Sequence, residues 1–249
     1  YNMAYSTIDK PNTHFNPVLY TGNSTINAIT GVGFQPDFIW SKSRTSVSDH
    51  SVFDVVMGTL TRLIPNDTYT EQVGEGVSSF DTDGFTYPNS VGGTANVTGN
   101  NYVAWNWKAG GTAVSNTDGS ITSSVSANTT AGFSVVTWTG TASNATVGHG
   151  LGVVPKITIV KNRNLIANWI VGGSLIEDVG GSTNNYILLN SSTGMDTSTA
   201  LYASYNPTTV GVKTDTNING SGQGMVMYCF SEVKGYSKFG SYTGNGSAD

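Results

Sequence analysis

One pattern in this chain occurs twice. Gly150-Leu-Gly-Val-Val-Pro155-Lys-Ile-Thr-Ile-Val-Lys161-Asn-Arg163 has an earlier counterpart in Gly31-Val-Gly-Phe-Gln-Pro36-Asp-Phe-Ile-Trp-Ser-Lys42-Ser-Arg44. Every fixed point of the later copy lies 119 residues after its partner. Self-similarity at a fixed period marks a repeat architecture and sets the domain count before other arguments apply. At 249 residues the length alone allows one large or two ordinary domains, and the duplication selects two. Both copies read alike: a glycine turn, a proline, an apolar strand, then two basic residues. The partly continuous apolar run Asp37-Phe-Ile-Trp-Ser-Lys42 points to a strand covered on both faces.

Charged residues make up 11% of the chain, against about 25% in ordinary soluble domains. Lys, Glu and Arg, which favour surface helices, are scarce, while Gly, Thr, Val and Tyr abound. This balance predicts an all-β chain of two tandem β-sandwich modules. The first spans 18–108 and the second 131–236, with an N-terminal arm over 1–17 and an inter-module linker over 109–130. Within that linker Ile121, Thr122 and Val125 suggest a short strand. Strands are expected at Phe15–Tyr20, Asp37–Lys42, Ser51–Met57, Tyr102–Trp107, Phe133–Thr139, Asn185–Leu189, Thr209–Lys213 and Gly224–Phe230. Val77-Ser-Ser-Phe-Asp-Thr-Asp-Gly-Phe-Thr-Tyr87 reads as a hairpin, because Asp-Gly supplies the backbone a tight turn needs. Phe239-Gly-Ser-Tyr242-Thr-Gly-Asn repeats Val18-Leu-Tyr20-Thr-Gly-Asn and is read as the start of a third module over 237–249, cut short by truncation, cleavage or loss of order.

The net charge of −5, without a basic stripe, argues against nucleic acid as a partner. No apolar run approaches the length of a membrane span. The single Cys229 excludes an internal disulfide framework and a cysteine-rich zinc site. Asn-x-Ser/Thr sequons are numerous but expected by chance in so polar a chain.

Tyr20-Thr-Gly-Asn23, the Gly-x-Gly-x-x-Pro turn, Lys-x-Arg, Phe80-Asp-Thr-Asp-Gly-Phe85 and Tyr102-Val-Ala-Trp-Asn-Trp-Lys-Ala-Gly110 together resemble an uncharacterised repeated module of bacteriophage virion proteins, tail-fibre-like and found in marine and environmental phages. Asn116-Thr-Asp-Gly-Ser-Ile121, Gly148-His-Gly-Leu-Gly152 and Gly235-Tyr-Ser-Lys-Phe-Gly-Ser-Tyr-Thr-Gly-Asn-Gly246 are similar to the same group. The resemblance implies sandwich modules, jelly-roll or lectin-like, on a virion surface or tail appendage, with other virion proteins and copies of itself as partners. It implies no reaction.

The candidate chemistry is sparse. Asp81-x-Asp83-Gly84 and Asp118-Gly119 contain fragments of a calcium loop, but no further spaced acidic ligands follow. Hairpin turns are therefore the preferred reading; no cofactor is expected beyond a weak possibility of structural calcium. His149, in the Gly-His-Gly-Leu-Gly turn, reads as a turn histidine bound to backbone rather than a base or ligand. Asp54, Glu71, Glu75, Glu177 and Asp178 are the carboxylates from which a glycosidase pair would be drawn, yet nothing marks any pair. Trp107 and Trp169 are the candidates for an exposed glycan-stacking platform. Lys42, Arg44, Lys161 and Arg163 are candidates for contact with an anion or a subunit, against a bland reading as a solvated strand end or an ion pair within the module; recurrence favours the structural role. The expected function is a structural building block of a phage fibre or capsid-surface appendage. The alternatives are a carbohydrate-binding adhesin that recognises host surface glycans, or a polysaccharide depolymerase domain.

Overall fold

The computed structural model describes residues 6–89 and 95–246. Part of the expected arm and the last residues of the expected third module lie outside them. The first repeat contains β1 (Phe15–Thr21), β2 (Asn27–Thr30), β3 (Phe38–Ser43), β4 (Ser51–Asp54), β5 (Thr61–Arg62), β6 (Gln72–Val73), β7 (Ser79–Asp81), β8 (Gly84–Tyr87) and β9 (Asn101–Trp107). The second contains β10 (Val114–Asn116), β11 (Ser123–Asn128), β12 (Phe133–Thr139), β13 (Ala145–Gly148), β14 (Ile157–Asn162), β15 (Ile170–Gly172), β16 (Asn185–Leu188), β17 (Asp196–Thr197), β18 (Tyr202–Tyr205), β19 (Thr209–Val212) and β20 (Gly224–Phe230). Two short helices, α1 (Ser174–Gly180) and α2 (Thr216–Asn219), also belong to the second repeat.

The duplication is visible in the pairing. The first repeat forms a sheet ordered β1-β9-β3-β4, and the second carries β12-β20-β14-β15 as the matching part of a larger sheet. Opposite these lie β2-β8-β7 and β13-β19-β18. Registers match as well: Phe38 faces Trp107 and Lys42 faces Val103 in one repeat, while Ile157 faces Phe230 and Lys161 faces Val226 in the other. In both, an early strand neighbours the last one, β1 beside β9 and β12 beside β20, so neither repeat can complete its sheet until its whole length is made. The all-β sandwich expectation holds.

The glycine turns explain part of this identity. Gly31 and Gly33 have φ of 86° and 84°, and Gly150 and Gly152 have 71° and 73°, a region that side chains with a Cβ rarely enter. Each turn thereby delivers its proline to the start of a strand. Gly84 is required for a different reason: a Cβ there would lie 1.9 Å from the Ile29 carbonyl oxygen.

One expectation needs correction. The stretch 109–130 is not a linker. Its β10 and β11 extend the edge of the second large sheet beyond β12, giving eight strands in the order β10-β11-β12-β20-β14-β15-β16-β17. The β-branched and small residues there pair through backbone bonds, with Val125 opposite Val136. The described residues 237–246 contain no strand; the stretch is coil, held through a Val233–Ser237 bridge.

Alternation along the central strands separates three cores. Ile39, Phe53, Phe85, Tyr87 and Ala104 fill the first sandwich. Val136, Trp138, Val160, Met225, Met227 and Cys229 help fill the second. The intervening residues of the same strands point the other way and meet each other. Phe38 and Val52 from the first repeat pack with Phe133, Val135, Val226 and Tyr228 from the second. The Phe38 ring lies 4.5 Å from that of Tyr228 and 5.6 Å from that of Phe133. The two large sheets therefore pack back to back, giving four layers with an apolar seam at the centre. This accounts for the run Phe38-Ile39-Trp40, apolar on both faces of its strand.

Truncating Phe38 to alanine is expected to cost about 3–5 kcal/mol, as for any large core deletion, although its neighbours belong to the other repeat. Equilibrium denaturation followed by far-ultraviolet circular dichroism and by tryptophan fluorescence should give one coincident transition in both wild type and variant. Two separate transitions in the wild type would contradict a shared seam.

Candidate functional site

The recurring basic pair ends strands β3 and β14, yet its two copies have different surroundings. In the second repeat the site is filled. Lys161 is fully buried. Its Nζ donates to the carbonyl oxygens of Thr68 at 3.1 Å, Leu165 at 3.3 Å and Ala167 at 2.8 Å. Burial lowers its pKa to about 8, with Asp67 opposing the shift. Arg163 pairs through Nε with the Glu71 carboxylate. Backbone bonds complete the contact: Ala167 N–H donates to Thr68 O at 3.0 Å and Glu71 N–H to Arg163 O at 2.8 Å. The Trp169 indole N–H donates to Ile64 O at 2.9 Å. A segment of the first repeat, residues 64–71, which opens with a turn at Pro65–Asp67 and runs on to Glu71, is thus clamped into the basic site of the second.

A buried acid reinforces this junction. Asp54, at the end of β4, has no solvent exposure. It accepts backbone N–H bonds from Val56 at 2.9 Å and Met57 at 2.8 Å, and the Tyr228 hydroxyl donates to it at 2.8 Å across the seam. Loss of hydration raises its pKa to about 6, although these hydrogen bonds favour the charged form.

In the first repeat the same basic pair is open. Among the described residues Lys42 donates only to the adjacent Ser43 carbonyl, at 3.1 Å, and Arg44 is exposed. Both line a shallow basin of about 590 Å³ with Ser46, Ser48, His50 and Asn66. Its wall is fixed by hydrogen bonds. The Trp40 indole N–H donates to His50 Nδ1 at 2.8 Å, and the His50 backbone N–H donates to Asn66 Oδ1 at 2.8 Å. The second repeat uses Asn190 in the same way, its Oδ1 accepting from the Trp169 backbone N–H at 2.8 Å.

The aromatic candidates divide. Trp169 is 1% exposed and stacks over Tyr228 in the seam, so the expectation of an exposed platform there is corrected: its ring fills the space beside the clamped segment. Trp107 is half-buried. It lines a cavity of about 240 Å³ at one end of the seam, with Phe15, Phe133, Phe230, Tyr236 and Phe239 among the walls.

His149 is buried; its Nε2 lies 3.0 Å from the Asn206 carbonyl and its Nδ1 accepts from the Leu151 N–H at 3.3 Å, as expected for a turn histidine. Burial lowers its pKa. Asp83 accepts from the Gly31 and Gly33 N–H groups at 3.1 and 2.5 Å, tying the β7–β8 hairpin to the glycine turn. Asp118 accepts from the Asn116 amide at 2.9 Å. Among the described residues no three His, Cys, Asp or Glu side chains form a metal-holding group. Of the carboxylates considered for catalysis, Asp54 and Glu71 are engaged as above, Glu75 pairs with Arg62 at 2.8 Å and Asp178 with Lys156 at 3.3 Å. Glu177 lies in the first turn of α1.

Fold and site together define a tandem all-β sandwich protein whose repeated basic element is an internal strut in one repeat and an open basin in the other. The chain belongs to the family described as a domain of unknown function, DUF7483, which matches residues 10–249 and so spans both sandwiches. No curated protein and no solved structure matches it.

Two outcomes follow from the strut and the buried acid. Lys161→Met should cost more than about 2 kcal/mol, because the carbonyls it satisfies stay buried, whereas Lys42→Met should stay within about 0.5 kcal/mol; chemical denaturation of the pair measures the contrast. Asp54 has a folded pKa raised from 3.8 to about 6, so the folded state holds the extra proton and stability attributable to this group falls as pH rises from about 4 to 6. Asp54→Asn should remove that slope, about 3 kcal/mol across the window, while its amide still meets Tyr228. Denaturation at pH 4, 5 and 6 tests it; an unchanged slope in the variant would contradict the assignment.

Proposed function

We propose that this chain is a structural virion module, a doubled β-sandwich block of a phage tail fibre or surface appendage that works through contacts with copies of itself and with other virion proteins. The observation that carries the structural part is where the reactive and aromatic side chains are used. Asp54 is consumed in the seam, Glu71, Glu75 and Asp178 are consumed in ion pairs, and Trp169 is consumed in packing. A depolymerase would instead hold two carboxylates facing one another across a groove. The fused seam suits a load-bearing block, because pulling on one repeat loads the other through a broad apolar contact. The phage appendage and the virion location rest on the motif resemblance carried by Tyr20-Thr-Gly-Asn23, Phe80–Phe85 and Tyr102–Gly110.

The adhesin reading keeps one specific support, the aromatic cavity beside Trp107. Aromatic walls of this kind stack sugar rings, but the serine hydroxyls among its walls, Ser231 and Ser237, already donate to the Gly132 and Ser231 carbonyls rather than being left to orient a ligand. A broad glycan array and a polysaccharide-hydrolysis panel on the whole chain separate the readings. The structural reading expects neither saturable binding nor cleavage. Saturable glycan binding that Trp107→Ala abolishes without lowering the melting temperature would replace it with the adhesin, and reducing-end release would replace it with the enzyme.

A further inference from the structure

We propose that the Lys42–Arg44 basin docks an extended acidic segment of a neighbouring polypeptide, which places a backbone carbonyl on Lys42 and, three residues later, a carboxylate on Arg44. The proposal rests on the structural reading above and names the kind of partner its contacts require. Its basis is that the molecule already contains this complex once. In the second repeat Lys161 takes the Thr68 carbonyl and Arg163 takes the Glu71 carboxylate.

The match extends to the backbone. Ala167 N–H and Arg163 C=O bond the clamped segment. Their counterparts, each 119 residues earlier, are Ser48 N–H and Arg44 C=O. Neither has a partner among the described residues. The Ser48 hydroxyl, on the same wall, is buried and also without a partner among them. The Arg44 guanidinium is likewise unpaired among the described residues. The local acid Asp49 accepts from the Asn66 amide at 2.8 Å and does not line the basin, whereas Lys42 and Arg44 do. Donor, acceptor and two cations are thus laid out along one strand end in the order an extended peptide would meet them, a small case of main-chain pairing with charge-assisted ends.

The chain's own second-repeat segment is a poor occupant. Residues 191–197 are exposed, but Met195 stands where the first repeat has Glu71. The partner is therefore a segment that carries an acid at that place.

The test uses a fluorescent peptide of the sequence of residues 64–73, Ile-Pro-Asn-Asp-Thr-Tyr-Thr-Glu-Gln-Val, titrated with the whole chain and followed by polarisation. Saturable binding is expected, weakened at least about tenfold by Arg44→Ala in the protein, the loss of one charge-assisted pair. Replacing the peptide glutamate by glutamine should weaken it equally. Arg44 is exposed, so the variant should melt with the wild type. No saturable binding to the wild type, binding indifferent to Arg44→Ala, or a uronic-acid oligosaccharide that binds this basin as tightly as the peptide would each overturn the proposal. The structural reading itself stands or falls on the glycan and hydrolysis panels, whatever the peptide does.

Discussion

The contact between the backs of the two large sheets is what the rest of this molecule depends on. Phe38, Val52, Phe133, Val226 and Tyr228 form a core that belongs to neither sandwich alone. Each repeat by itself would expose this aromatic face, and a contiguous apolar patch of that kind is unstable in water. Burying it converts two small sandwiches into one four-layered body. It also explains why polar partners are built at the rim: once the sheets are dry, the Tyr228 hydroxyl needs an acceptor, and Asp54 supplies it.

The rim is where duplication gave way to specialisation. Both repeats end the same strand with Lys-x-Arg, in the same register against β9 and β20. In the second repeat that pair became a strut for the 64–71 segment, and the counterpart of Lys42, which bonds the adjacent Ser43 carbonyl, is there surrounded by carbonyls. A buried cation without a carboxylate in contact is tolerated because three oxygens replace its hydration. The first repeat kept the element in an open form, with Asn66 and Asn190 holding equivalent walls in both.

Much of this was legible in the sequence. The 119-residue ruler located the matched strands, because the glycine turn, the proline and the strand are local devices whose chemistry is written in adjacent residues. The strand expected at Tyr102–Trp107 is β9, and these residues alternate between buried and half-buried as the sequence alternates. The double-faced run at Phe38–Trp40 signalled a covered strand. What covered it could not be read, since the seam joins residues far apart along the chain, as in the 174-residue separation of Asp54 from Tyr228. For the same reason Trp169 was placed at the surface: its cover, the 64–71 segment, comes from the other repeat. Helix α1 was not expected because it is only seven residues long, ends at a left-handed Gly181 and buries Ile176 alone, too short a pattern to stand out from the surrounding strands. The basic pair was recognised as recurrent, but identical motifs cannot reveal that only one of them is occupied.

The central claim is that the two repeats are one cooperative body joined through the seam. Native-state amide hydrogen exchange, read residue by residue, tests it most directly. The account predicts that the central strands β3, β9, β14 and β20 share one opening free energy, and that loosening the seam at Phe133 lowers protection in both repeats together. Protection lost in the second repeat alone, with β3 and β9 unchanged, would contradict it.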